Sequence, residues 1–154
     1  MLIDIGANLT HESFKNDIES VLTRAKESNV DKIIVTGTNV QSSITAQQLT
    51  QRHDSLFSTA GIHPHYAEET CERAIADLEK ILNLPQVVAV GETGLDFFRD
   101  YTAKKVQIFS FEKHIELAIK SQLPMFLHER DAHKTFYDIL RTSRDKLNKL
   151  VVHC

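Results

Sequence analysis

Short apolar segments alternate with longer amphipathic segments along the whole sequence, and this alternation limits the possible folds more than any other feature. Six short, strongly apolar segments are predicted as strands: Leu2–Ile5, Ile33–Thr36, Leu56–Ala60, Val87–Val90, Met125–Leu127 and Leu150–Val152. Between them, apolar residues recur at helical spacing in five predicted helices: Phe14–Ser28, Val40–Arg52, Ala67–Leu82, Lys104–Lys120 and Ala132–Lys146. Strict alternation of strands and helices predicts an α/β fold with parallel strands joined by helical crossovers.

The sequence favours one domain over residues 1–154, because no segment rich in Pro, Gly or Ser interrupts the alternation. The near-continuous apolar character of the strands indicates burial on both faces. Periodicity alone leaves open whether the strands form an open doubly wound sheet or a barrel. No GxGxxG or GxxxxGKS/T motif follows any predicted strand, which argues against the nucleotide-binding versions of the open sheet.

The charge balance argues against a DNA-binding protein that depends on a basic surface. There are 21 Asp and Glu residues against 18 Lys and Arg residues, and the net charge is −3. Non-catalytic DNA binders need an excess of positive charge that neutralises backbone phosphates. A phosphate-bearing substrate would therefore need another source of positive charge, and a metal ion would supply it.

The apolar segments are too short to cross a membrane, since a spanning helix needs about 20 consecutive apolar residues. The first residues lack a basic region followed by an apolar one, so no secretory signal is predicted. We therefore expect a cytoplasmic protein, or a nuclear one in a eukaryote. The two cysteines, Cys71 and Cys154, form no CxxC pair, and no disulfide framework is predicted.

Histidines and carboxylates recur where the predicted strands end. In parallel α/β folds the functional groups gather at the carboxyl ends of the strands, so residues far apart in sequence become neighbours there. The polar residues at these ends are Asp4 and Asn8, His63 and His65, Glu92 and Asp96, His128 with Arg130 and Asp131, and His153.

This combination of side chains predicts a divalent metal site. Imidazole nitrogens and carboxylate oxygens together suit Zn²⁺, Mn²⁺ or Fe²⁺, whereas Mg²⁺ prefers the carboxylates. Glu92 could bridge two ions held roughly 3.5–4 Å apart, as in two-metal hydrolysis of phosphoesters. A single histidine at a strand end is usually only a polar cap, but its recurrence on several strands favours a metal site.

The remaining polar candidates have simpler interpretations. Asp4 could bond backbone groups near the end of its strand. Four histidines lie on predicted helices or connecting loops, where we expect solvated surface positions: His11, His53, His114 and His133.

Five segments of the chain resemble those of TatD-type metal-dependent DNases, a family of the amidohydrolase-like superfamily. They occur in the family's order from the first residues to the last: Asp4–Leu9, Ala60–His65, Gly91–Asp96, Leu127–Ala132 and Val151–Cys154. Each segment alone is weakly specific, but five in order make the resemblance strong.

The resemblance implies a TIM-type (β/α) barrel with a metal site at the carboxyl ends of its strands. It gives catalytic roles to His63 and Glu92. Glu92 matches the family's metal-binding, bridging glutamate, and His128 and His153 match its two histidine ligands. His63 matches the histidine of the Gly-x-His-Pro motif, which sits beside the substrate phosphate.

The activity implied by the resemblance is hydrolysis of DNA phosphodiester bonds by metal-activated water, mostly as a 3′→5′ exonuclease. One or two divalent ions are implied, with Mg²⁺ favoured and Mn²⁺ or Zn²⁺ as alternatives. The expected partner is DNA, as single strands or 3′ ends, and no membrane is involved. His65, Asn8 and Arg130 are expected to bind the substrate.

The first strand departs from the superfamily pattern. Many members begin with Asp-x-His-x-His, in which both histidines are metal ligands, but Gly6 and Asn8 occupy those positions here. Asp4 could still contribute an oxygen, so an ion at this position should be held weakly and carry more water.

The length is the second departure. A complete barrel needs roughly 250 residues, and this sequence has 154 residues and no seventh or eighth strand. The family's metal-binding aspartate on the eighth strand, its proposed general base, has no counterpart. We therefore expect an N-terminal portion of a barrel, with exposed strand edges that make it unstable alone.

Two other functions fit the same residues. A related metal-dependent hydrolase could cleave another ester or an amide, such as an acylated tRNA. Alternatively, the chain could be an inactive fragment or scaffold that binds a partner through its open sheet edge.

Overall fold

The computed structural model describes residues 1–153 and contains the six strands and five helices predicted from the sequence. The strands are β1 Leu2–Ala7, β2 Val30–Val35, β3 Leu56–Ala60, β4 Val87–Asp96, β5 Met125–Arg130 and β6 Leu150–His153. The helices are α1 Ile18–Glu27, α2 Val40–Thr50, α3 Glu72–Leu82, α4 Lys104–Ser121 and α5 His133–Ser143. Three short 3₁₀ helices cover Glu12–Phe14, Pro64–Glu69 and Arg144–Lys146.

The strands form one parallel sheet in the order β1-β2-β3-β4-β5-β6. In a doubly wound sheet this order would reverse at a switch point, whereas a barrel keeps the order of the sequence. The fold is therefore the barrel alternative, as six strands of a TIM-type (β/α) barrel. Within residues 1–153, β1 pairs only with β2 and β6 only with β5.

The core lies between the outer face of the sheet and the helices. Its larger part packs the middle strands against α3, α4 and α5, and fully buried Phe111, Leu78 and Leu127 belong to it. A smaller part packs β2 and β3 against α1 and α2, around Val35 and Leu56. Each large side chain removed from water in this way contributes about 1.5–3 kcal/mol.

The inner face of the sheet is open, as expected for part of a barrel. Ile3, Ile5 and Val151 are partly exposed, at 50%, 48% and 41%. Ile5 and Val151 line an apolar cleft together with Phe126. The instability expected for such an open sheet stays a prediction.

Several predicted boundaries differ from the structure. The first helix begins at Ile18 rather than Phe14, the third at Glu72 rather than Ala67, and the fifth ends at Ser143 rather than Lys146. In each case a 3₁₀ turn occupies residues assigned to the helix, because a 3₁₀ turn has nearly the same periodicity over one turn. The largest difference is in β4, which continues for six residues past Val90.

The prediction of surface positions for four histidines is wrong for His114 and His53. His114 is fully buried in α4, and the side chain of His53 is only 16% exposed beside Glu19. His11 and His133 are exposed as expected.

In the described part of the chain, no helix is long and apolar enough to cross a membrane. Cys71 is a free, exposed cysteine. Cys154 lies outside the described residues, so the absence of a disulfide between the two cysteines stays a prediction. The last residue of the Val151–Cys154 segment is this same cysteine, so the structure describes the segment only as far as His153.

Candidate metal centre

Two glycines allow β4 to run close to β5 and so place the carboxylates of β4. Gly91 and Gly94 have φ values of +141° and +140°. A Cβ atom at Gly91 would lie 2.1 Å from the carbonyl oxygen of Phe126, and one at Gly94 would lie 2.0 Å from that of His128. Only glycine combines this backbone conformation with such a close approach. The result is a strand that carries Glu92 and Asp96 directly beside His128.

Three histidines surround one oxygen of Glu92. Its Oε1 lies 3.1 Å from Nε2 of His153, 3.3 Å from Nδ1 of His128 and 3.5 Å from Nε2 of His63. Glu92, His63 and His128 are buried, whereas the side chain of His153 is 40% exposed. The four side chains come from the ends of β3, β4, β5 and β6, so the fold brings together residues from four separate strands.

Asp96 orients the group formed by Glu92, His63, His128 and His153, which we call the cluster. Its Oδ2 accepts hydrogen bonds from Nε2 of His65 at 2.8 Å and from Nε2 of His128 at 3.1 Å. Its Oδ1 accepts from the backbone N–H groups of Phe98 at 3.1 Å and Arg99 at 2.8 Å. With its proton donated from Nε2 to Asp96, His128 directs Nδ1 towards Glu92. Hydrogen bonds of this kind orient histidine ligands in metal sites.

The role of Asp96 was not predicted, although its position at a strand end was noted. Strand periodicity could have indicated it, because Glu92 and Asp96 are four residues apart and side chains at even spacing share one face of a strand. That inference required β4 to continue past Gly91.

The electrostatics of the cluster favour a cation. Burial alone would raise the pKa of Glu92, but the hydrogen bond from His128 and the neighbouring histidines lower it. Burial would also raise the pKa of Asp96, but the hydrogen bonds that it accepts from the Arg99 backbone, His65 and His128 lower it. Burial would lower the pKa of His128, yet Glu92 and Asp96 raise it. A proton on His128 thus balances the two carboxylates, and a divalent ion would replace that proton.

His63 is held as a neutral hydrogen-bond donor. Burial lowers its pKa to about 4, more than the charge of Glu92 raises it. Its Nδ1 accepts the backbone N–H of His65 at 3.2 Å, so we assign the proton of the neutral ring to Nε2, which faces Glu92. A metal ligand needs an unprotonated nitrogen. His63 is therefore better suited to donate to a bound anion than to ligate the ion.

The donor set fits a divalent metal ion. Ligand atoms of His63, Glu92 and His128 all lie within 4.8 Å of one another. Because His63 Nε2 carries a proton, the atoms left to hold an ion are Glu92 Oε1 and the two nitrogens beside it, His128 Nδ1 at 3.3 Å and His153 Nε2 at 3.1 Å. Two imidazoles and one carboxylate suit Zn²⁺, Mn²⁺ or Fe²⁺, and Mg²⁺ would depend mainly on the carboxylate.

Comparison with known proteins places the chain in a family. The sequence family described as TatD related DNase matches residues 3–154. The chain belongs to this family. This match confirms the family that the sequence resembles and the class of metal-dependent hydrolases to which that family belongs. The partial barrel agrees with the fold that the resemblance implies.

The TatD relatives match nearly all of this chain. One from Erwinia tasmaniensis, named 3'-5' ssDNA/RNA exonuclease TatD, is 42% identical over 154 residues, which are 99% of this chain and 60% of the relative. A relative of the same name from Edwardsiella piscicida is also 42% identical, over 99% of this chain and 59% of its own length. The chain thus spans about 60% of the length of the curated relatives that it matches.

Solved structures of TatD proteins share the fold. A TatD family hydrolase from Entamoeba histolytica superposes with a TM-score of 0.90 at 30% identity, covering 99% of this chain and 57% of that chain. The TatD homologue YJJV from Escherichia coli superposes with a TM-score of 0.86 at 30% identity, covering 92% of this chain and 55% of its own.

Other residues of the TatD-like segments lie outside the central cluster. Asp4 and Asn8 are exposed, and no hydrogen bond or ion pair connects either of them to the cluster in the described part of the chain. Asn8 accepts a hydrogen bond from Thr10 Oγ1 at 3.3 Å. His65 is bound to Asp96, and Arg130 stacks on Phe98. Residues 1–153 therefore bring together one group of side chains that could hold a metal ion, and the second ion expected near Asp4 stays a prediction.

Proposed function

We propose that residues 1–154 form the metal-binding portion of a TatD-type barrel whose protein hydrolyses single-stranded nucleic acid, above all DNA, from the 3′ end. The observation that carries this proposal is the convergence of three imidazole nitrogens on one buried carboxylate oxygen, Glu92 Oε1. The substrate and the direction of digestion are supported by the names of the relatives, which are 3'-5' ssDNA/RNA exonucleases.

Glu92, His128 and His153 are the proposed ligands of the ion. A divalent ion held there supplies Lewis acidity, which neutralises charge on a phosphodiester and lowers the pKa of an attacking water. Asp96 keeps His128 in the tautomer that a ligand needs. Asp4 is proposed to contribute one oxygen to a second, more weakly held ion.

His63 is proposed to bind the scissile phosphate. Its ring is neutral and donates from Nε2, so it would stabilise negative charge that develops on a phosphate oxygen. His65, Arg130 and Asn8 are proposed to bind the neighbouring parts of the substrate. Because the net charge is −3, these few local groups and the ion must together attract a polyanion.

Metal removal tests this function. We expect the full-length protein to shorten 5′-labelled single-stranded DNA stepwise from its 3′ end with Mg²⁺ or Mn²⁺, and EDTA to stop the reaction. An oligonucleotide with a blocked 3′ end should resist, and one with a blocked 5′ end should be degraded normally. Unchanged digestion in EDTA, or products that shorten from the 5′ end, would contradict the proposal.

Substitution of His63 separates phosphate binding from metal binding. We expect His63→Ala to lower turnover by about 100- to 1000-fold, the usual effect of losing one donor to a developing oxyanion. The metal content after dialysis should equal that of the wild type, because Nε2 of His63 carries a proton. His133→Ala, which removes an exposed histidine of α5, is the control. A variant that loses its metal would identify His63 as a ligand.

A further inference from the structure

Two aromatic rings are exposed on the loop that follows β4. Phe98 is 56% exposed and Tyr101 is 64% exposed. Large apolar groups exposed next to a polar site commonly mark a binding surface. We call Phe98, Arg99, Tyr101 and Arg130 the rim platform.

Hydrogen bonds fix the loop that carries these rings, so their exposure is a property of an ordered segment. Asp96 Oδ1 accepts the backbone N–H groups of Phe98 and Arg99. The side chain of Gln107 is fully buried, and its Nε2 donates to the carbonyl oxygens of Asp96 and Thr102. Rings presented on an ordered loop lose little conformational entropy when they bind a ligand.

The Tyr101 ring contacts the histidines around Glu92, and Phe98 is connected to them through its backbone hydrogen bond to Asp96. The ring of Tyr101 lies 4.7 Å from that of His65, which lies 4.3 Å from that of His63. Arg130 lies over the Phe98 ring, with its guanidinium carbon 3.9 Å from the ring centre. Arg130 follows His128 by two residues in β5, so their side chains leave the same face of the strand.

The chemistry of the rim platform suits unpaired nucleotides. Arg130 covers one face of Phe98, while more than half of the residue remains exposed for a second flat group. Arg99 Nη1 lies 3.4 Å from the hydroxyl of Tyr101, which places a second guanidinium beside the second ring. Alternating aromatic rings and arginines bind single strands by stacking on bases while cations contact phosphates.

We propose that Phe98 and Tyr101 stack on the bases next to the scissile phosphate of a single-stranded nucleic acid. This inference rests on the proposed nuclease function and assigns a base-binding subsite to the same centre. Bases in a duplex are already stacked and paired, so the rim platform requires their release. It thereby provides a physical reason for a preference for single strands.

A similar ring elsewhere on the molecule provides a matched control. Phe109 in α4 is 47% exposed and has the Lys113 ammonium 5.9 Å from its ring centre. It lies in a cleft with Thr70 and Cys71, apart from the residues of the metal cluster. Phe109→Ala therefore removes an exposed aromatic group with a cationic neighbour, but outside the rim platform.

The test combines removal of a side chain with removal of a base. Binding of a 5′-fluorescein thymidine oligonucleotide to the full-length protein is measured by anisotropy in EDTA, with intact or abasic 3′-terminal nucleotides. We expect wild type to bind the abasic strand about tenfold more weakly. Phe98→Ala or Tyr101→Ala should bind the intact strand about tenfold more weakly than wild type does. Neither substitution should weaken binding of the abasic strand much further. Phe98→Tyr, Tyr101→Phe and Phe109→Ala should bind as wild type.

The other outcomes overturn the inference. Unchanged binding by Phe98→Ala and Tyr101→Ala, or equal losses with intact and abasic strands, would show that the rings do not stack on bases. A lower melting temperature with unchanged binding would show that the rings pack against other parts of the protein. A protein that shows the expected pattern but cleaves no nucleic acid with any metal contradicts the nuclease proposal alone.

Discussion

We expect Glu92→Gln to lower the rate of metal-dependent DNA cleavage by about 1000-fold or more. Glu92 Oε1 is the atom on which the nitrogens of His63, His128 and His153 converge. An amide has the same size but no negative charge, so it is a much weaker ligand for a divalent ion. The variant should therefore lose bound metal, and a higher metal concentration should not restore its activity. Cleavage of labelled single-stranded DNA and metal content after dialysis measure both effects.

Asp96→Asn is the matched comparison, because it neutralises the carboxylate that orients the cluster without removing a proposed ligand. We expect metal affinity to fall by about 10- to 100-fold, the usual effect of losing a partner that orients a ligand. A saturating concentration of Mn²⁺ should then recover most of the activity, in contrast to Glu92→Gln. Wild-type rates for Glu92→Gln, with circular dichroism unchanged, would rule out Glu92 as the centre of the site.

The number, type and order of the elements could be predicted because they depend on local patterns. Apolar runs bounded by polar residues define strands, and apolar residues at helical spacing define helices. The choice between a barrel and a doubly wound sheet could not be predicted from these patterns. It depends on which strands pair, and the sequential order of β1 to β6 decides between a barrel and a doubly wound sheet.

The end of β4 shows where local patterns fail. Gly91 and Gly94 suggest a turn after Val90, because glycine commonly occurs in turns. In the structure both belong to the strand, where they allow contact with the backbone of β5 at Phe126 and His128. A contact between residues about 35 positions apart in the sequence leaves no local pattern. The role of Asp96 was missed for the same reason, because its even spacing from Glu92 is informative only when the strand is known to continue past Gly91.

The ionisable residues of the site could be predicted from the sequence. Glu92, His128 and His153 could be identified from strand ends and from motifs, and the structure brings them together with His63. Their hydrogen bonds could not be predicted, because they depend on side-chain orientation. These bonds indicate that His63 donates from Nε2 while His128 presents Nδ1 to Glu92.

His114 was misjudged although the sequence contains evidence of its burial. Gln107, Phe111, His114 and Ala118 recur at helical spacing and are all buried on one face of α4. The two polar members form hydrogen bonds with backbone groups. His114 Nε2 accepts the N–H of Ile62 at 2.9 Å, and its Nδ1–H donates to the carbonyl of Ser110 at 2.7 Å. It therefore anchors the residue that precedes His63.

His114 should make stability depend on pH. Burial lowers its pKa to about 4, more than the Ser110 carbonyl raises it, against 6.5 for an unperturbed histidine. Between these values the unfolded chain binds more protons than the folded chain, so the free energy of unfolding decreases as the pH falls. The contribution is complete above pH 6.5 and is lost towards pH 4, about 3 kcal/mol in total for such a shift.

The comparison of wild type with His114→Gln isolates this contribution, since we expect the lowered pKa of His63 to contribute equally to both proteins. Urea unfolding of the full-length protein between pH 7.5 and 4.5 should show a steeper loss for wild type, and His133→Gln should behave as wild type. Parallel curves for wild type and His114→Gln would mean that His114 is not held neutral. His114→Ala should be destabilised by about 2–4 kcal/mol even at pH 7.5, because it leaves a cavity and an unpaired Ile62 N–H. That loss would also release the backbone beside His63, so the same buried histidine connects the stability of the fold to the geometry of the metal centre.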